Sequence, residues 1–208
     1  QSKIEAEMRA ALGKGGSVQA ANGEWSHDGI TTAEVEAALA ELQAFPRIGH
    51  AGRVLVQQAK LVIKLRFALL ACVRGQATTW QALTAVLESF EAAENAETLP
   101  ELEAAMQELN DMRCATELAV ENALATGRSE KVDGAWSHAE LNTETLEAAV
   151  SEAEAFPARM SDKARTLIHQ ARQVVRVRQA LLECHWSEPA SWTALAHVLE
   201  SPEVAAHG

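Results

Sequence analysis

One stretch of this chain occurs twice, and nothing else constrains the fold as strongly. Gly23-Glu24-Trp25-Ser26-His27 runs on through Ile30-Thr31-Thr32 to Ala44-Phe45-Pro46. Gly134-Ala135-Trp136-Ser137-His138 runs on through Leu141-Asn142-Thr143 to Ala155-Phe156-Pro157. The copies lie 111 positions apart. Two such stretches must meet the same local requirements, so the chain reads as a tandem duplication of a helical unit of about 111 residues.

Each copy has the character of a loop that leads into a helix. Thr31 with Glu34 three residues on has the spacing of a capping box, and Asn142 takes the cap in the second copy. Ile30 with Val35, and Leu141 with Leu146, have the spacing of a hydrophobic staple. Trp25 and Trp136 are large apolar surfaces in polar loops. With His27 and His138 beside them, they are expected as structural plugs that tie each loop back to the helices.

The helices that follow are matched in pairs. The first, about Thr32 to Phe45, ends at Pro46. The next, about Ala51 to Arg74, is the longest, with Leu55, Ala59, Val62, Leu69 and Val73 along one seam and Leu167, Ala171, Val174, Leu181 and His185 along its counterpart. Arg66 and Arg178 occupy the one remaining seam position in each copy. An arginine in an apolar seam must pair or extend to solvent, and the carboxylates expected opposite are Glu36 or Glu88 for Arg66, and Glu147 or Glu200 for Arg178. Trp80 and Trp192 open a further matched helix, and two helical patterns between Pro100 and Gly127 precede the second copy of the loop.

The resulting expectation is an all-α fold of helical hairpins, a bundle or a short solenoid, with no sheet. Its divisions are residues 1–22 as the terminal helix of a preceding unit, 23–133 as the first repeat unit and 134–208 as an incomplete second one. That phase is what a piece of a longer array would show, and the chain does not begin with Met. Ile4 and Met8 at one end, and Leu195 and Val198 at the other, are then candidate end-face contacts for neighbouring units.

Composition bears on function mainly by exclusion. No apolar run approaches the roughly 20 residues that span a bilayer, since Lys64 and Arg66 interrupt the longest candidate. Three scattered cysteines, Cys72, Cys114 and Cys184, form no Cys-x-x-Cys pair, which suits a reducing, intracellular and cytoplasmic setting. The net charge of −11 conceals a division by helix: Arg47, Arg53, Lys60, Lys64, Arg66 and Arg74 fall in one stretch, and Arg159, Lys163, Arg165, Arg172, Arg176 and Arg178 in its copy. Packing of basic against acidic helices accounts for this. A nucleic-acid surface is not expected from an acidic chain without aromatics among its basic residues.

No constellation carries chemistry. One His per loop is short of the three or four ligands of a zinc site, and Asp28 beside His27 becomes Ala139 beside His138. Cys184 and His185 are adjacent on a helix and point about 100° apart. No phosphate loop or nucleophile elbow is present. The expectation is a non-enzymatic structural or protein-interaction module, without cofactor or metal, whose partners are other proteins or further copies of the repeat. The alternatives are a polyanion-binding module using the long basic helices, and a carrier holding an apolar ligand between helices beneath the tryptophans.

Overall fold

The structure is a computed structural model that describes residues 2–138, 140–157, 160–185 and 187–202. Arg159 of the second basic row therefore lies outside the described residues. The chain is mostly helical and divides into two compact units, residues 1–112 and 113–208.

The first unit holds α1 (Ser2–Leu12), β1 (Val18–Gln19), β2 (Trp25–Ser26), α2 (Ala33–Gln43) and α3 (His50–Ala71). A 3-10 turn at Ala77–Trp80 leads into α4 (Gln81–Leu87), and α5 (Phe90–Asn95) precedes α6 (Pro100–Ala125). The second unit holds the end of α6, then β3 (Glu130–Val132), β4 (Ala135–Ser137), α7 (Glu144–Ala155), α8 (Asp162–Leu182) and α9 (Pro189–Leu199).

Each unit has its own core. In the first, Met8 and Ala11 of α1, Val35 and Leu42 of α2, and Leu55 and Ala59 of α3 are buried together. In the second, Val120 and Ala123 of α6, Leu146, Val150 and Ala153 of α7, and Ile168 and Ala171 of α8 do the same. These are amphipathic faces with apolar residues three or four apart, and burying them is what stabilises short helices in water.

Several sequence expectations are corrected here. The chain contains two antiparallel hairpins: β1 pairs with β2, with Val18 opposite Ser26, and β3 pairs with β4, with Val132 opposite Ala135. Asp133 at φ 50° and Gly134 at φ 85° form the two-residue turn of the second, a left-handed pair that matches strand twist. The expected boundaries at 22/23 and 133/134 thus fall inside hairpins. The helix before each hairpin packs into the core that follows it, α1 against α2 and α3, and the end of α6 against α7 and α8. α6 is one helix where two patterns were expected, because neither Gly nor Pro interrupts residues 101–126.

The expected end faces are covered as well. Met8 is fully buried and Ile4 packs against the same core, while Leu195 is buried and Val198 partly so. The capping box does not form: Thr32 stands at the N-cap without a side-chain bond, and Thr31 Oγ1 accepts only from the Ala33 N–H. In the second unit Asn142 Oδ1 accepts from the Glu144 N–H at 2.7 Å, with Thr143 at the N-cap.

The seam arginines organise both units. Arg66 is 1% exposed, and its Nη1 donates to the Thr31 carbonyl at 2.6 Å. Its Nη2 donates to the carbonyls of Leu12 and Lys14. Those oxygens lie at the C-terminal end of α1, where backbone acceptors have no partner inside the helix. Arg178 repeats the arrangement, with Nη1 to Asn142 O at 2.9 Å and Nη2 to Leu124 O and Thr126 O. One guanidinium therefore ties together the end of one helix, the approach to the next and the middle of the long helix. Gly15, at φ 73°, makes room: a Cβ there would lie 2.9 Å from Thr31 Cγ2 and 3.4 Å from Arg66 Nη1. Gly127, at φ 60°, has the same place beside Arg178.

The carboxylates are not those expected. Arg66 forms a two-point pair with Glu101 at 2.9 and 3.0 Å, not with Glu36 or Glu88. Neither Glu147 nor Glu200 pairs with Arg178: Glu147 accepts from Gln179, and the bonds of Arg178 run to the three carbonyls. Because it leaves a partly buried carboxylate and three carbonyls without their donor, Arg66→Ala is expected to destabilise the protein by about 3–5 kcal/mol. Arg66→Lys, which cannot reproduce the planar fork, should recover less than half of that in urea denaturation.

Candidate functional site

The recurring Trp-x-His segment sits on the second strand of each hairpin and just beyond it, beside the end of the long helix. In the first unit the opening half of α6 closes over it. Trp25 Nε1 donates to Asp111 Oδ2 at 3.2 Å, and His27 Nε2 lies 2.5 Å from Glu108 Oε1. Glu101, one end of the same helix face, holds Arg66. Leu102, Ala105 and Met112 of that face are buried. Trp25 and His27 are thus half-buried ties between loop and helix, fixed at their polar tips.

Glu108 is almost fully buried, and its Oε2 has no hydrogen-bond partner. Burial raises its pKa above the ordinary carboxyl value, an effect that His27 opposes and Asp111 reinforces. Nearby, burial and then the Glu108 charge push the Cys72 thiol up to about 12. Its Sγ donates to the carbonyl of Ala68 at 3.2 Å. A thiol held protonated in this way is no nucleophile, so Cys72, His27 and Glu108 form a packing node despite their suggestive chemistry.

In the second unit the same positions stand open. Trp136 is 67% exposed, which corrects its reading as a plug. His138 is exposed, and its Nδ1 lies 2.7 Å from Ser129 Oγ, with no carboxylate bonded to it. Trp192 is 39% exposed, whereas Trp80 at the matched position is 3% exposed. A cleft of about 700 Å³ is lined by Ser129, Trp136, His138, Leu181, Cys184 and Trp192. A second, of about 520 Å³, is lined by Arg128, Gln173, Val174, Val177 and Arg178, and adjoins the first at Ser129 and Leu181.

The groove so formed is apolar along its walls and basic at one end. Arg178 is 5% exposed, and burial, followed by the Arg128 charge, lowers its pKa. Sequence reasoning singled out Trp136, His138 and Arg178 but did not place them along one groove. It missed Glu101, Glu108 and Asp111 altogether. Their one legible signal was position: Glu101 and Glu108 are seven residues apart and Asp111 three further on, which puts all three on one helical face.

Among the described residues, no cluster of three or more His, Cys, Asp or Glu side chains could hold a metal ion, and no helix is long and apolar enough to cross a membrane. Comparison with protein-family models, curated proteins and solved structures finds no match to this chain.

The two tryptophans should respond differently to truncation. Trp25→Ala is expected to cost about 2–3 kcal/mol, less than a fully buried tryptophan, while Trp136→Ala stays within about 0.5 kcal/mol of the parent in thermal or urea unfolding. Glu108 supplies a pH signature. A carboxyl whose folded pKa lies above its unfolded value contributes stability that is full at pH below the unfolded value and is lost as pH rises through the folded one. Glu108→Gln should therefore flatten the decline in Tm on the alkaline side of the ordinary carboxyl range, with the rest of the pH profile unchanged.

Proposed function

We propose that this protein is a tandemly duplicated, non-enzymatic helical module that works by binding other proteins. The duplication is supported by the recurrence of one tertiary device in both units: an arginine of the long helix, at positions 66 and 178, that donates to the carbonyls of matched residues of the preceding helix end and loop. The observation that carries the interaction role is the open groove of the second unit. Trp136, Trp192 and Leu182 are exposed there or close by, and exposed apolar clusters with a polar rim mark contact sites.

The polyanion reading has less support. Lys64, Arg74, Lys163 and Arg172 are each paired with a carboxylate of the same unit, and Arg66 is buried, so the long helices present few uncommitted cations. The apolar-carrier reading would have to place an apolar molecule beside the Arg178 guanidinium, which suits a ligand with an acidic group better.

Site-specific photo-crosslinking tests the role. A crosslinking residue at position 136, in cells that express the protein natively, is expected to give a protein adduct of defined stoichiometry. The same residue at Phe90, which is 75% exposed but outside the groove, should not. Adducts confined to lipids or small molecules, or none at position 136, would refute the interaction role.

A further inference from the structure

Resting on the interaction role proposed above, we infer that the groove of the second unit is a receptor for an amphipathic acidic helix with the face Glu-Leu-x-x-Ala-x-x-Glu-x-x-Asp. The chain carries its own template for that occupant. In the first unit the matched groove is filled by the opening of α6, and three carboxylates on one face of it each meet one recurring residue: Glu101 with Arg66, Glu108 with His27, Asp111 with Trp25. The buried Leu102 and Ala105 lie between them on the same face.

The second unit presents Arg178, His138 and Trp136 at the corresponding positions, with no carboxylate among the described residues bonded to any of them. Arg178 is the strongest part of the argument. Arg178 is nine-tenths buried and lines a cavity of about 520 Å³, and among the described residues its guanidinium is bonded to three carbonyls and to no carboxylate that would balance its charge. Arg66 in the same setting has one. Where Gly16 lies against the Glu101 carboxyl, within 3.2 Å of an added Cβ, the second unit has Arg128, which adds a second cation at that end. The basic end, the His138 ring and the indoles of Trp136 and Trp192 thus follow the order in which residues 101, 108 and 111 would meet them. Such a pairing uses buried apolar contact for affinity and the spacing of charges for register.

The probe is a synthetic peptide with the sequence of residues 98–113, stapled between the outward positions 103 and 107 so that it is helical before binding. It is titrated into the full 208-residue chain, and the indole N–H resonances of Trp136 and Trp192 are followed by NMR. Saturable shifts at those two indoles are expected, with the Trp25 signal unchanged. Trp136→Ala and His138→Ala, both exposed and outside the cores, should each weaken binding at least about tenfold and about threefold respectively. A peptide with Glu101→Gln, Glu108→Gln and Asp111→Asn should bind at least about tenfold more weakly, and raising salt from about 50 to 500 mM should narrow that gap.

Equal affinity for the neutral peptide, or no saturable shift with a peptide shown to be helical, overturns the inference. So does binding that shifts only residues of the first unit. If the peptide fails while crosslinking at position 136 still yields a protein adduct, the acidic-helix inference falls and the interaction role stands. If both fail, both fall.

Discussion

A buried arginine that donates to backbone carbonyls is the interaction on which each unit depends. The end of a helix leaves acceptors that its own ladder cannot satisfy, and sealing such an end inside a protein costs free energy unless a donor reaches it. Arg66 and Arg178 reach it from the middle of the long helix, and the glycines at 15 and 127 admit them by leaving out a side chain where the backbone turns left-handed. A guanidinium suits the task because its planar fork addresses several acceptors at once. The helix that precedes each hairpin, the loop before the next helix and the long helix are held in register by this one group, and the apolar faces of the cores then close around it.

The two units share this device but differ in how their grooves are completed. In the first, α6 supplies carboxylates for the arginine, the histidine and the tryptophan, and Trp80 is sealed. The energetic consequence is mixed. The Arg66–Glu101 pair neutralises a buried charge, whereas Glu108 is buried with one oxygen unbonded and its proton held more tightly than usual. Burying a carboxyl this way costs stability, and the cost is offset by the apolar contacts of Leu102, Ala105 and Met112 on the same helix face. In the second unit the same recurring residues line an accessible groove, which is the basis of the recognition role proposed above.

The basic residues of α3 and α8 are largely engaged by carboxylates within their own unit, as Lys64 is by Glu91 and Arg172 by Glu154. Exposed pairs of this kind contribute little to stability individually. Arg128 and Arg178, by contrast, lie together along the groove of the second unit.

The sequence alone determined the helical class, contained the 111-residue recurrence and marked one arginine in the apolar seam of each long helix, because apolar spacing and an isolated cation in an apolar seam are properties of local order. It also contained the turn of the second hairpin: Asp133-Gly134 is a strong two-residue turn signal, although strands as short as three residues have no periodicity to mark them. What only the tertiary structure decided is which partners meet. Glu101 was indistinguishable from Glu36 and Glu88 until α6 was seen to lie across the hairpin, since a carboxylate thirty-five residues away carries no local mark. Trp25 and Trp136 have the same neighbours in sequence, yet one is tied to Asp111 and the other stands exposed. The difference lies in a helix that covers one of them, and coverage is a property of packing that no stretch of sequence states by itself.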